Sequence, residues 1–591
     1  MRRALPALVT FSLVLPFTAQ AASDPCREVK PHLVAGARAL DGGEADGAEA
    51  FASFRTAIAE SARKAGAADL AKRLRALEPG RPVPDAAASL ASCLLRSYVQ
   101  AAYGERMVRD LQALVGFRTF AEEGKENWKA PEFERQRKWL EQRAGELGLA
   151  TKDFDGRVVE VTLPGPGPIL AVLTHGDVQD VEGQQWSSPP WEARRVSAAR
   201  GTPGDRSDRI VGRGTEDDKG PIVATLYALA ALDDSGWPHG KTLRLLIANG
   251  EESNWEDIPY YLERAPMPDQ TLGIDAAYPV THAQKGYGVL TFSAKSPAAA
   301  APVSDTARPG AWRVLSLAGG SGMSIIPERG EARLAPPAGT GADAALAELS
   351  RRAADWTRKN PPANLEITRT PDREELMVVA HGKGGHSSEP SSGHNALADL
   401  TAFLSTLDLQ RDAWAAVALF VGRHVGTGTD GAKLGIAHRD AVMGPLTASL
   451  SYLREVEGAP AAQVNIRHPR GLAEEEMARR LADLAAAFNR ESGGSGIAVD
   501  PSFLSHPHVV PAEGPLVSGL LAVWEEVTGQ PGRPIAIGGG TQARLFKGGV
   551  DFGPANGMER YRGHGPDEYL TVDELHRIAE LTVAALWRLG R

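Results

Sequence analysis

Between about residues 24 and 104 the apolar residues recur at helical spacing. Phe51, Phe54 and Ile58, then Leu70, Leu74 and Leu77, mark amphipathic helices interrupted at Pro79-Gly80 and from Pro82 to Pro84. Residues 22–104 therefore read as a helical accessory region. From residue 105 helical and extended patterns alternate. Met107 to Val115 and Phe133 to Leu147 have helical patterning, whereas Arg157 to Val161 and Ile169 to Thr174 read as strands. The second of these strands is the near-continuous apolar run expected of a strand covered on both faces. Leu243 to Ala248 repeats that pattern, and Leu272-Gly273-Ile274 repeats it in short form. Between them Ile210-Val211 runs through glycines into Asp217-Asp218-Lys219-Gly220-Pro221, and a helix is predicted from Ile222 to Leu232.

After Ala294 the texture changes. Ser296 to Pro309 is rich in Ala and Pro and reads as a linker. Strands are predicted at Trp312 to Leu317, Glu375 to His381 and Ala461 to Arg467, and helices at Ala342 to Trp356, Asn395 to Leu407 and Ala473 to Phe488. This is the pattern of a smaller α+β domain, residues 295–502, inserted into an α/β domain made of residues 105–294 and 503–591. The second part holds a helix from Pro515 to Thr528, the turn Ile537-Gly538-Gly539-Gly540-Thr541, Arg562-Gly563-His564, and a last helix from Thr571 to Leu589. No short internal repeat is present.

The 591 residues exceed one ordinary core, in keeping with two or three domains. With 42% hydrophobic and 24% charged residues the chain has the balance of a soluble globular protein, and a formal net charge of −9 with no long basic run argues against a nucleic-acid partner. Met1-Arg2-Arg3, the apolar run from Ala4 to Phe17 and Ala19-Gln20-Ala21 form the three parts of a secretory signal peptide, residues 1–21. The run is shorter than the roughly 20 residues of a membrane span. The mature protein is thus expected to be exported, to the periplasm, and free of the membrane. Its two cysteines, Cys26 and Cys93, are an even pair in an oxidising compartment; one disulfide is expected, with two buried thiols as the alternative.

Polar residues cluster where the buried strands end: His175-Gly176-Asp177, Glu251-Glu252 and Asp275, with Asp217 and Asp218 at a helix start. Carboxyl ends of parallel strands are where open α/β sheets bind ligands. An imidazole, a carboxylate able to bridge and further carboxylates suit a pair of divalent ions. His175 is a candidate ligand that Asp177, two residues on, could orient. Asp217 could bridge, and of Glu251 and Glu252 one could bind metal while the other serves as a base. Each residue alone is as well explained by a cap or a surface carboxylate; their convergence is what points to chemistry.

These motifs, with Gly212-Arg-Gly-Thr-Glu-Asp217-Asp-Lys-Gly220 and Arg562-Gly-His564-Gly565, resemble the dinuclear zinc peptidases that include dipeptidase V, carnosinase, aminoacylase and carboxypeptidase G. The resemblance spans residue 105 to the C-terminus and is strongest to dipeptidase V. Asp275-Ala-Ala-Tyr-Pro279, Gln284-Lys285-Gly286, Asn465-Ile-Arg467-His-Pro469 and Gly538-Gly-Gly-Thr-Gln-Ala-Arg544 extend it. It implies a zinc-peptidase catalytic domain with a mixed sheet flanked by helices, an inserted α+β lid and an N-terminal helical extension.

It further implies two Zn²⁺ ions per subunit, with Mn²⁺ or Co²⁺ as substitutes. His175, Asp217 and Asp275 would hold one; Asp217, Glu252 and His564 would hold the other. Glu251 would be the general base, and the Asp217-Asp218 peptide would be cis. His386, in Gly382-Lys-Gly-Gly-His386-Ser-Ser, would reach from the lid to polarise the scissile carbonyl. Arg467 and the turn Gly538, Gly539, Gly540 would hold a substrate carboxylate. Ser324 stands where dipeptidase-like relatives carry a substrate-contacting asparagine. His394, His438 and His468 are read as structural. The implied activity is hydrolysis of dipeptides or short peptides, with a monomer favoured and a dimer as the alternative. N-acyl amino acid deacylation is the alternative within enzymes, and a non-catalytic metal- or peptide-binding protein the alternative outside them.

Overall fold

The computed structural model describes residues 26–591 apart from 41–46, 123, 183, 198–206, 295–309, 371–372 and 493–495. The expected signal peptide and the expected linker lie outside the described residues. The apolar run at 169 becomes the strand Ile169–His175, buried from its second residue on. It runs parallel to Thr242–Ala248 on one side and to Gln270–Gly273 on the other. Val158–Leu163 and Ala150–Phe154 extend the sheet antiparallel beyond Thr242–Ala248, and Val550–Asp551, Val280–Gln284 and His508–Val509 extend it beyond Gln270–Gly273. Pro534–Ile537 adds to Val280–Gln284 in parallel, giving a nine-stranded mixed sheet. His175 pairs with Ala248, so His175 and the Asn249–Glu252 turn leave neighbouring strands at the same edge.

Helix Gly220–Ser235 is buried almost throughout because it lies inside a helical layer with Ala88–Val115 and Val572–Gly590. The N-terminal helices Leu33–Arg38, Ala48–Lys64 and Ala68–Arg75 close over this layer. Residues of the extension and of the catalytic domain belong to one continuous core. Phe51 meets Trp237 at 5.1 Å between ring centroids, and Trp237 meets Trp587 at 5.4 Å. Cys26 and Cys93 are joined by a disulfide with their Cα atoms 5.5 Å apart.

The expected boundary between residues 104 and 105 falls inside the single helix Ala88–Val115. Gly104 marked the change in texture, yet it does not break the helix. The missing side chain instead admits His576, whose Nε2 lies 3.0 Å from where a Cβ would stand.

The second sheet has eight antiparallel strands in the order Asn364–Arg369, Leu376–His381, Arg329–Ala335, Arg313–Gly319, Thr447–Val456, Ala459–His468, Gly286–Ala294, Ile497–Ser505. Helices Ala342–Lys359, Ala396–Leu404, Ala413–His424 and Glu474–Ser492 contribute with it to a separate core. The expected lid limits of 295 and 502 need correction. Gly286–Ala294 pairs along its length with two strands of this second sheet, and Ile497–Ser505 runs past residue 502. The chain changes sheets at Lys285, directly between Val280–Gln284 and Gly286–Ala294 with no loop between them, so no linker-like segment marks the crossing. No helix among the described residues is long and apolar enough to cross a membrane.

Candidate metal centre

The fold brings His175, Asp217 and Asp275 into one group and Asp217, Glu252 and His564 into another, each with its donor atoms within 4.8 Å of one another. Asp217 belongs to both, and its two oxygens divide between them. Oδ1 lies 2.9 Å from His175 Nε2, and Oδ2 lies 3.0 Å from His564 Nε2. Asp275 Oδ1 is 3.7 Å from His175 Nε2, and Glu252 Oε1 is 3.0 Å from His564 Nε2. The Asp217-Asp218 peptide is cis.

The tautomer of His175 bears on what this arrangement can hold. Its Nδ1 faces the backbone carbonyl of Asp177 at 3.0 Å and must donate to it. In the neutral ring the Nε2 lone pair then points at Asp217 and Asp275, a repulsive arrangement unless a cation lies between. The charges tell the same story. Burial, reinforced by neighbouring carboxylates, pushes the carboxyls of Asp218 and Glu251 well above the ordinary range. Asp275, pushed up chiefly by burial, sits at about 6. Burial disfavours protonation of His175, yet hydrogen bonds to Asp177, Asp217 and Asp275 carry its pKa well up. The site has more buried negative charge than its own cations balance, and its imidazole and carboxylate donors suit two divalent ions.

Asp177 has a part beyond the expected one. Its backbone carbonyl at 3.0 Å and its carboxylate Oδ1 at 3.5 Å both face His175 Nδ1. The carboxylate also accepts from the backbone N–H groups of Glu251 at 3.3 Å and Glu252 at 2.9 Å, holding that turn. Glu251 lines a water-sized cavity of about 10 Å³ with His175, Asp275, Thr541 and Asp551. Gln179 donates to Glu252 Oε2 at 2.8 Å.

Several supporting residues escaped the sequence reading. Glu568 is fully buried; its Oε2 accepts from Arg213 at 2.7 Å and from Gly214 N at 3.0 Å. Its Oε1 accepts from Glu216 N at 3.0 Å and Asp217 N at 3.2 Å. Four donors on one carboxylate make a rigid mount for the bridging aspartate. Glu568 lies four positions after His564, but an Asp-Glu pair in a loop has no periodicity to reveal it. Tyr561 donates its hydroxyl to Asp217 Oδ2. Lys219, fully buried, donates to the carbonyls of Leu114 at 3.1 Å and Phe117 at 2.6 Å, at the end of helix Ala88–Val115. Thr119 then ties this end to the Gly176 carbonyl at 2.6 Å.

The lid supplies the other side of the site. His386 stands with its ring centroid 6.4 Å from that of His564, in the same chain. The Ser388 backbone N–H donates to its Nδ1 at 3.2 Å, which leaves the proton on Nε2. Burial, helped by Arg467 and His564, drops its pKa to about 3, so the ring is a neutral donor. Arg467 is buried over the Tyr287 ring at 4.2 Å and donates to Asn465 at 3.3 Å and to Ser324 Oγ at 3.2 Å. Among the described residues no carboxylate pairs with it. Ser324 also receives the Ser387 N–H at its carbonyl, 2.8 Å away, so it links Arg467 to the His386 loop. Gly538 approaches the same loop: a Cβ there would lie 3.1 Å from the Ser388 carbonyl. His394 pairs with Asp399, His438 faces the Arg470 carbonyl, and His468 is buried near Glu474.

The model of the peptidase family M20/M25/M40 matches residues 171–588. The Beta-Ala-Xaa dipeptidase of Lactobacillus delbrueckii subsp. lactis is 29% identical over 459 residues, 75% of this chain and 87% of that protein. YtjP of Bacillus subtilis (strain 168) is 31% identical over 445 residues, 75% of this chain and 88% of that protein. Among solved structures, human carnosine dipeptidase 1 aligns at 13% identity with a TM-score of 0.48, over 86% of this chain and 100% of that one.

Proposed function

This chain belongs to the peptidase family M20/M25/M40 and is a metallopeptidase hydrolase; from that premise we propose that it cleaves dipeptides and short peptides at a two-zinc centre. The division of Asp217 between His175 and His564 is the observation that carries this reading. His175, Asp217 and Asp275 would hold one ion and Asp217, Glu252 and His564 the other. When bound, such a pair supplies Lewis acidity and acidifies a water at neutral pH. The name of the Lactobacillus relative supports the dipeptide as substrate.

The chain's own groups account for the remaining steps. Arg467 and the Gly538–Gly540 turn receive the substrate carboxylate, which neutralises a buried guanidinium that has no acidic partner among the described residues. Glu251 takes a proton from the attacking water and returns it to the leaving amine. His386 donates its Nε2 proton in a hydrogen bond to the carbonyl oxygen as negative charge develops there. The approach of His386 to His564 of its own chain, 6.4 Å between ring centroids, supports a monomer as the catalytic unit. The leader-like first 21 residues support export to the periplasm, and N-terminal sequencing of the secreted protein tests it; an intact Met1 there would overturn it.

Glu251→Ala should retain two metal ions per chain by elemental analysis and lose nearly all turnover of dipeptides. Substantial residual turnover would remove Glu251 from the reaction. A panel of dipeptides and N-acetyl amino acids separates peptidase from deacylase; preference for the acylated amino acids would decide for the latter.

A further inference from the structure

The two sheets are joined by two chain crossings that lie side by side. Outbound, Val280–Gln284 of the first sheet passes through Lys285 into Gly286–Ala294 of the second. Inbound, Ile497–Ser505 of the second passes into His508–Val509 of the first, where His508 pairs with Gln284. One guanidinium grips both. Arg544 Nε donates to Gln284 Oε1 at 3.0 Å, one terminal nitrogen to the Lys285 carbonyl at 2.8 Å, and the other to Ser505 Oγ at 2.5 Å.

Arg544 is also bound to the substrate-facing turn. It lies three residues after Thr541, in the short helix Gln542–Leu545 that follows the turn, and a Cβ at Gly540 would lie 3.0 Å from its guanidinium. Gln284, its first acceptor, is locked to that turn: its Oε1 accepts from Thr541 N at 3.0 Å, and its Nε2 donates to Thr541 Oγ1 at 2.9 Å and Asp551 Oδ2 at 2.8 Å. The hinge and the glycine turn thus form one hydrogen-bonded unit. All three acceptors of Arg544 are neutral, so what the residue supplies is its planar fork of donors, which a lysine cannot reproduce.

We propose that Arg544 is the pin of the hinge between the catalytic and lid domains, a positioning residue that sets the angle at which the lid presents His386 to the metal centre. The kinetic side of this inference rests on the peptidase reading above; the geometric side stands without it. The test uses the full chain with spin labels at Thr151→Cys, on the catalytic sheet, and Thr368→Cys, on the lid edge; the two native cysteines are already paired.

Arg544→Lys should broaden the label-to-label distance distribution and lower kcat about tenfold or more, with KM within about threefold and two metal ions retained. In a His386→Ala background the same substitution should cost less than about twofold, because the residue acts through the lid histidine. Ser505→Ala, which removes one grip only, should give a smaller change in the same direction. An Arg544→Lys distance distribution like that of the wild type would overturn the proposal, whatever the activity of the protein. So would a raised KM at unchanged kcat, which would make Arg544 a substrate contact, or a full multiplicative loss in the His386→Ala background.

Discussion

Two regions are attached to the same catalytic sheet by opposite means. The N-terminal helices share its hydrophobic core, through Phe51, Trp237 and Trp587 and the layer around helix Gly220–Ser235. Buried polar groups also pair across the seam: Tyr98 and Tyr103 donate to Asp234, and Tyr227 donates to Asp110. The lid keeps a core of its own and meets the catalytic domain through polar contacts. These include Arg544 on the two crossings, Lys285 donating to the Pro445 carbonyl at 2.6 Å, and the Ser388 carbonyl beside Gly538. Apolar burial is non-directional and grows with area, so the first attachment is a weld. Hydrogen bonds at a narrow neck contribute little net free energy each and are exchangeable, so the second is a joint. The extension should accordingly act on stability and the lid on turnover.

The sharpest way to break that contrast is His386→Ala. We expect kcat to fall by about 10²–10³-fold, the size of one lost transition-state donor, with the melting temperature within about 2 °C of wild type. A fall in melting temperature at unchanged turnover per folded molecule would make the lid a stability element. On the other side, replacing both Cys26 and Cys93 by serine should destabilise the protein by roughly 2–4 kcal/mol in chemical denaturation. Its kcat/KM should stay within about twofold; activity lost ahead of unfolding would show that the extension reaches the metal centre, for which Lys219 offers a route.

A smaller effect tests the seam itself. Burial pushes the Asp234 carboxyl up, against the hydroxyls of Tyr103 and Tyr98. A raised folded pKa means that the folded state holds this proton more tightly than the unfolded chain does. Its contribution is therefore most favourable below the unfolded value of about 3.9 and declines as pH rises through the raised folded value. Asp234→Asn, which cannot ionise, should gain stability relative to wild type as pH rises above about 4, read from denaturation midpoints. Parallel pH profiles would show that the seam carries no such charge. The smallest effect is expected at Ser324→Ala, which loses one hydrogen bond to Arg467. KM should rise by less than about tenfold at constant kcat; a larger loss in kcat would assign Ser324 to the reacting carbonyl.

Legibility in the sequence followed burial. Ile169–His175 and Thr242–Ala248 show as near-continuous apolar runs because parallel strands covered on both faces leave little room for polar residues. His175, Glu251 and Glu252 were legible because they sit where those runs stop, Asp275 because it follows the shorter run Gln270–Gly273, and Asp217 because it stands at the start of a buried helix. Gly286–Ala294 was not recognised as a strand: its burial alternates strictly, and serine, threonine and glycine occupy much of it. Thr447–Val456 was missed for a related reason, an exposed end with charged residues. The lid limits erred because the Ala/Pro-rich segment was conspicuous while the true crossing at Lys285 was not. Glu568 and Arg544 were invisible as functional residues, since their acceptors and donors lie far away in the chain.

The sequence by itself determined that His175, Asp217, Glu251, Glu252 and Asp275 could bind metal, which segments are buried strands and helices, and that an insertion interrupts the α/β domain; His564 joined the ligands only through the family resemblance. Those properties depend on residue type and on periods of two to four residues. Only the tertiary structure decided that Asp217 gives one oxygen to each histidine, that Asp177 holds the Glu251-Glu252 turn, and that one arginine spans both crossings. Such assignments are orientations, set by partners such as Tyr561 and Glu568 that lie 344 and 351 positions from Asp217. No local pattern encodes the direction in which a carboxylate points; the contacts that fix it exist only once the chain has folded.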